Sequence, residues 1–506
     1  MTFQRNLLRG LLTGAALFYA VFILRTAFEA QGRTWFTLVD DAMVSMRYAR
    51  NLAQGHGLVW NAGQPPVEGF TNLGWTLVMA LAHLLPIPTA GISLALMLAG
   101  AVILLLNILV VYKIALTLDP AARYAPLIAA AITAFYFPLI FWTLRGLEVG
   151  ALTLMLNLSI LLAIHFVSDD QPRRVLWLSL SFAAALLLRM DSFIPVTLIL
   201  LYITSKSWRR AILPGLFSLL VFLAILLFQK SYFGDFLPNT YYLKVSGVSA
   251  WERVRTGILS LTYYASRDFL MPLFFVLIGL LIYKGLRRRE VLLLLALFLA
   301  QAAYSVWVGG DYAEELVDSA NRFIAQGMPA LIILFSIVIE RMLLSASDLQ
   351  LKPVVALLIA IGAVSVMSAE PWAKWILVNA PMLRTDIQRT RLGLHIKEYT
   401  DPAAVVAVHA AGQIPYYSER TVIDLLGKND PVISHGPPAT GFAPGHNKWN
   451  YEYSILQLRP DVIADNFNKL RGFMEGHPEY QLLPNGIYVR AGTKLINFSG
   501  LSSDYK

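Results

Sequence analysis

Two adjacent carboxylates, Asp40 and Asp41, stand just past the first apolar run of this 506-residue chain. The polar stretch they open continues with Tyr48-Ala49-Arg50-Asn51, His56 between Gly55 and Gly57, and Glu68-Gly69-Phe70-Thr71-Asn72. Ionisable groups kept beside lipid-soluble sequence are costly and tend to be functional. A carboxylate pair suits proton abstraction from a hydroxyl, one member acting as base while the other orients the reactant or holds Mg²⁺ or Ca²⁺. A single aspartate would also serve as a helix N-cap ahead of residues 42–53, at the positive end of the helix dipole. Two successive residues cannot both cap.

The elements that must position these groups are set by composition. The chain is 57% hydrophobic and 14% charged, against roughly 25% charge in soluble domains. Net charge is +9, but the basic residues cluster in short loops between apolar runs, a pattern of membrane orientation rather than of nucleic-acid binding. There is no cysteine, which excludes disulfides and thiolate metal sites. Residues 1–26 have a basic start and an apolar core without an A-x-A-like cleavage site, so they read as a retained helix.

Apolar runs lie near 8–25, 91–117, 122–143, 147–168, 175–190, 192–205, 211–228, 269–283, 291–307, 323–343 and 353–369. Residues 73–86, short and flanked by Pro86 and Pro88, read as a juxtamembrane helix on the bilayer surface. With that segment not crossing, the Lys/Arg-rich loops all fall on the cytoplasmic side. Eleven spans follow, with the N-terminus inside and the C-terminus outside.

The same topology places 27–90, Arg145–Glu148, 229–268 and 308–322 on the external face, together with Arg189-Met190-Asp191. Charges far apart in sequence converge there. From about 370 the pattern changes to a small α/β domain, with strands at Val405–Val408, Thr421–Gly427, 460–465 and 480–489 and a turn at Gly412–Tyr417. The expected division is 1–369, a membrane domain, and 370–506, an extracytoplasmic domain. Asp424 and Asp430 read as turn residues.

These features resemble the GT-C superfamily of integral-membrane glycosyltransferases, which use polyprenyl-phosphate sugars. Residues 40–61, 67–72 and 234–244 are more narrowly similar to the bacterial family that includes the terminal β-(1→2) arabinofuranosyltransferases of mycobacteria, as is Gly412–Gly427 in the tail. The tail is shorter than in the mycobacterial enzymes, which leaves an arabinan, a lipopolysaccharide or a pilin-type protein open as acceptor. The resemblance implies an all-α polytopic fold with a small α/β domain, in a bacterial inner membrane. It implies a polyprenyl-phosphate donor carrying D-arabinofuranose, and a glycan or protein acceptor.

Site roles follow from that chemistry. The resemblance puts the base on the first external carboxylate, Asp40, ahead of Asp41. Lys244, Arg322 and Arg189 are candidates for the departing phosphate, which needs cations. For Lys244 and Arg322 the plain alternative is interfacial snorkelling; for Arg189 it is an ion pair with Asp191. His56, Glu68, Asn72, Glu148, Asp235, Asn239, Tyr241 and Asp311 are candidates for sugar or acceptor contacts. The plain readings are a loop histidine, a turn glutamate and, for Tyr232–Tyr242, an aromatic interfacial belt. Two other classes stay open: a flippase for a lipid-linked sugar, which would want midplane charges and inverted repeats, and a non-catalytic assembly protein indifferent to loss of Asp40 and Asp41.

Overall fold

The structure is a computed structural model that describes residues 2–169, 171–311, 320–345, 351–378, 381–464 and 469–505. Residues 312–319, inside the expected external segment 308–322, lie outside the described residues, as does Asp465 at the end of an expected strand. The chain forms two compact units: Met1–Arg25, Leu96–Ile225 and Arg253–Ala380 make one, and Thr26–Ala95, Leu226–Glu252 and Pro381–Lys506 the other. The second unit therefore gathers the tail from Pro381 with two segments that the sequence reading expects to be external.

Every expected apolar run is helical. Among the described residues, seven helices are long and apolar enough to cross a membrane, or nine if each of two bent pairs makes one span. The bends are 49° between Ala125–Phe135 and Phe137–Leu144, and 78° between Ala250–Asp268 and Leu270–Ile282. Pro138 and Pro272, near the start of each second helix, remove amide donors where the first helix stops. The expected runs 175–190 and 192–205 are the helices Pro172–Leu188 and Phe193–Lys206, of 17 and 14 residues. At 1.5 Å per residue the second is about 21 Å long, short of the roughly 30 Å hydrocarbon core. The count of eleven thus resolves into seven full-length helices, two bent pairs and two short helices.

In the membrane unit, Met328–Ser345 is apolar on all sides and buried almost throughout, as expected of a helix at the centre of a bundle. Trp208–Phe233 does the opposite, leaving Leu213, Leu216, Leu220 and Leu223 exposed along one stripe. Such a stripe is stable only against lipid or another apolar surface. Buried polar contacts tie helices together: Asn107 donates to Gly150 O at 2.9 Å, and Ser159 to Ser181 Oγ at 2.9 Å. Glu340 accepts from the amides of Arg123, Tyr124 and Ala125, which satisfies the open N-terminus of Ala125–Phe135.

The other unit holds a two-stranded ribbon, Ala27–Ala30 with Arg33–Phe36, and a five-stranded sheet. Its strand order is Thr421–Asp424, Val405–Val408, Val462–Ile463, Tyr488–Arg490, Tyr480–Leu482, the first three parallel and the last two antiparallel to their neighbours. All five answer the four expected strands, 480–489 resolving into two. The expected turn at Gly412–Tyr417 is a helix, Gln413–Ser418. Residues 73–86 form the helix Leu73–Leu84, at 12 residues too short to span. One core joins Val44 and Tyr48 from the helix Asp40–Ala53, Trp60 and Phe70 from the loop after it, and Val406, Val408, Val422 and Val489 from the sheet. The acidic helix is thereby fixed to the sheet.

Candidate active site

The helix Asp40–Ala53 begins after Val39, whose backbone is extended and whose side chain offers no cap. Asp40 and Asp41 therefore occupy the first two helical positions rather than the N-cap, where the dipole still favours negative charge. Asp40 caps a different helix. Its Oδ1 accepts from the amides of Gly412 at 3.1 Å and Gln413 at 3.0 Å, at the start of Gln413–Ser418. A Cβ on Gly412 would lie 2.0 Å from Asp40 O and 2.7 Å from Oδ1, so only glycine allows this approach. Gln413 Nε2 closes the arrangement by donating to Leu38 O at 3.0 Å. Burial pushes the Asp40 carboxyl above the usual range, against the pull of Arg389, Lys428 and the Gln413 amide.

Asp41 faces outward by comparison, with 39% of its side chain exposed, and accepts a short hydrogen bond from the Lys428 ammonium. Burial alone would lower the Lys428 pKa; Asp41, then Asp40 and Asp424, outweigh it and hold the lysine above its usual value. Lys428 is delivered by a tight turn. Asp424 Oδ1 accepts from the amides of Leu426 and Gly427, and Oδ2 from Asn429 N at 2.8 Å and Nδ2 at 2.9 Å. Gly427 takes φ +80°, the left-handed region that suits glycine. Asn239 clamps the turn from another segment, Nδ2 donating to the carbonyls of Gly427 and Lys428 at 2.9 Å each, while its Oδ1 accepts from Ser434 Oγ at 2.5 Å.

His446 and Lys244 complete the cluster. Burial brings the His446 imidazole down to about 4, with further depression from Lys428 and Lys244 and a counter-pull from Asp41. It is neutral near pH 7. Its Nδ1 lies 3.1 Å from Pro444 O, which can only accept, so Nδ1 carries the proton. Lys244 lies over Gly445, where a Cβ would touch its Cε at 3.4 Å.

The structure places the expected contact residues in different settings. Glu68 is buried, both oxygens accept from Gln229 Nε2 at 3.0 and 2.9 Å, and burial pushes its carboxyl up to about 8. Asn72 Oδ1 accepts from Ser45 and Thr76, joining two helices. His56 is exposed on a corner of two left-handed glycines. Asp235 lies 3.8 Å from His435, and Tyr241 is exposed with its ring edge against Tyr242.

The remaining candidates form a second cluster in the membrane unit. Arg189 donates to both oxygens of Asp191, at 2.6 Å for the shortest, and to Glu148 Oε1 at 3.0 Å. Arg322 pairs with Asp311 at 3.1 Å, and its amide donates to the same carboxylate at 3.2 Å. Both guanidinium groups lie over Phe323, at 5.4 and 5.5 Å. Two cations meet three carboxylates, so their charge is already neutralised.

Sequence reasoning missed Lys428, His446 and Arg389, and took Gly412 for the start of a turn rather than a contact of Asp40. The strand-and-exit motif it singled out stops at Gly427, one residue short of the lysine. Nothing local to 428 or 446 indicates a partner 387 residues upstream.

Residues 381–502 match a family model described as a domain of unknown function, DUF8728. A terminal β-(1→2)-arabinofuranosyltransferase of Mycobacterium tuberculosis is 27% identical over 235 residues, 44% of this chain and 36% of that protein. The match thus spans about a third of the curated relative's length. ArnT from Cupriavidus metallidurans in the apo state aligns with a TM-score of 0.58 at 13% identity, covering 95% of this chain and 97% of ArnT. This is the GT-C fold. The oligosaccharyltransferase AglB from Archaeoglobus fulgidus, solved with an inhibitory peptide and a dolichol-phosphate, shares the GT-C fold with a TM-score of 0.53 at 13% identity, over 84% of this chain and 65% of AglB.

Proposed function

We propose that this chain is a membrane glycosyltransferase that moves a sugar, D-arabinofuranose, from a polyprenyl-phosphate donor to a hydroxyl of a glycan or protein on the extracytoplasmic face. The observation that carries the reading is the Asp41–Lys428 pair: an accessible carboxylate at a helix N-terminus, beside a lysine that two separate segments hold in place. The partial match to a terminal β-(1→2)-arabinofuranosyltransferase and the solved ArnT complex with undecaprenyl phosphate support the same donor chemistry.

In this reading the acceptor oxygen attacks the anomeric carbon as the bond from that carbon to the phosphate oxygen breaks. Asp41 takes the acceptor's proton. The polyprenyl phosphate leaves as an anion, and the ammonium groups of Lys428 and Lys244 stabilise the developing charge. A single displacement inverts the anomeric centre. Asp40, held by the Gly412 and Gln413 amides, positions Asp41 rather than reacting. Arg189 and Arg322, whose carboxylate pairs are mostly buried, are assigned to structure. The site faces outward with the N-terminus cytoplasmic, and 370–506 is extracytoplasmic.

A divalent cation does not fit the residues present. Asp40 Oδ1 is engaged by two amides and Asp41 by an ammonium, and no group of three or more His, Asp or Glu gathers at ligand distance among the described residues. No step is routed through one.

The test uses purified chain in detergent with synthetic polyprenyl-phosphoryl-arabinofuranose. Release of polyprenyl phosphate that depends on an arabinose-containing acceptor is the expected result. Binding of the lipid without acceptor-dependent release would move the protein to the carrier class.

A further inference from the structure

Away from the carboxylate cluster, the tail carries a cavity of about 400 Å³ that the proposed chemistry does not use. Trp449, Tyr451 and Phe473 line it, with Val432, Asn450 and Glu452. The Trp449 and Tyr451 rings are within 26° of parallel at 6.1 Å, and Phe473 tilts against Tyr451 at 5.6 Å. Tyr451 is buried and its hydroxyl engages His409, whereas Trp449 is only partly buried and Val432 is exposed. Asn450 is exposed and accepts from the Tyr453 amide through Oδ1, which leaves its NH₂ as donor. Glu452 begins a six-residue π-helix, Glu452–Gln457. That conformation is rare and concentrates at functional sites.

We propose that this cavity binds a sugar ring of the acceptor glycan, an inference that rests on the transferase reading above. A sugar presents an apolar C–H face to an aromatic ring and hydroxyls at its rim, which an amide donor and a carboxylate acceptor satisfy together. The volume is at the lower end of small-ligand cavities, enough for one or two rings. Among the described residues no lysine or arginine lines it and one carboxylate does, so the chemistry favours a neutral hydroxylated ligand over the donor's phosphate. The cavity is also joined to the reactive cluster. Asp430, two residues past Lys428, accepts from Val432 N at 2.8 Å and from the Tyr453 hydroxyl. The loop that presents Lys428 to Asp41 therefore continues into the cavity wall.

The experiment is equilibrium dialysis of the intact chain in detergent against three labelled probes: a linear arabinofuranose tetrasaccharide, a mannose tetrasaccharide and a neutral tetrapeptide. A saccharide should bind, and Trp449→Ala should weaken it roughly tenfold. Asn450→Ala and Glu452→Gln, at exposed side chains, should weaken it less. In turnover the same variants should raise KM for the acceptor and leave KM for the donor lipid unchanged. Binding of the peptide alone, no saccharide binding at millimolar concentration, or equal binding by wild type and all three variants would each overturn the proposal. Because binding is read without turnover, Asp41→Asn should still bind the saccharide. Failure of the cavity and failure of the transferase reading are thereby told apart.

Discussion

Two clusters of charge, one in each unit, use the same residue types to opposite ends. Around Arg189 and Arg322 the side chains are mostly buried, Glu148 3% and Asp311 1% exposed and Arg189, Arg322 and Asp191 11%, 13% and 17%, and each guanidinium is matched by carboxylates and lies over Phe323. Around Asp41 and Lys428 the pair is open, 39% and 25% exposed, and the fold's effort goes into aiming the lysine through the Asp424 turn and Asn239. A buried pair is strongly coupled to the fold because removing one member strands the other. An exposed pair contributes little to stability, so a structure that builds one so carefully is serving something other than stability.

The comparison is most easily broken at Arg189. Arg189→Ala removes the guanidinium that both Glu148 and Asp191 pair with and should cost about 3–5 kcal/mol of stability, read as a large drop in the thermal midpoint in detergent. An unchanged midpoint would mean this cluster is as dispensable to the fold as the other. Gly412→Ala comes next. Its Cβ would overlap the Asp40 backbone, and the strain should cost about 1–3 kcal/mol and reduce turnover as Asp40 shifts. Lys428→Met keeps the stem and removes the charge; turnover should fall by tenfold or more, with a midpoint within about 1 kcal/mol of wild type. A stability loss without a rate loss would place Lys428 with the structural cluster.

Glu68 sharpens the comparison through pH. Its folded pKa of about 8 lies above the ordinary carboxylate value, so the folded state holds a proton the unfolded state has released. The associated stability is fully present below about 4.3 and declines as pH rises, being lost as pH passes about 8. Glu68→Gln should flatten that fall between pH 5.5 and 8.5, and a parallel slope in both proteins would contradict it. The smallest effect belongs to His56→Ala, on an exposed corner, where turnover should change less than twofold and stability by less than about 0.5 kcal/mol.

Much of the architecture is legible in the sequence because hydropathy is local. Each apolar run is a helix, and the tail strands at Val405–Val408 and Thr421–Asp424 fall within their apolar runs. What is not legible depends on partners far along the chain. Gln413–Ser418 looks like a turn because six residues with a proline do not nucleate a helix alone; the cap that completes it is Asp40, more than 370 residues away. The same distance hides Lys428 from Asp41. The sequence offers an ion pair with Asp191 as the plain alternative for Arg189, but it does not tell an ion pair that is closed from one that is open. Burial decides that, and burial is a property of the packed chain.

The measurement that tests the central claim most directly is the rate of polyprenyl-phosphate release by Asp41→Asn beside its thermal midpoint, each against wild type. A general base and an exposed carboxylate together predict a loss of about 10²–10⁴ in rate with the midpoint essentially unmoved. Undiminished release by Asp41→Asn would contradict the account, since the open pair would then have no chemical role.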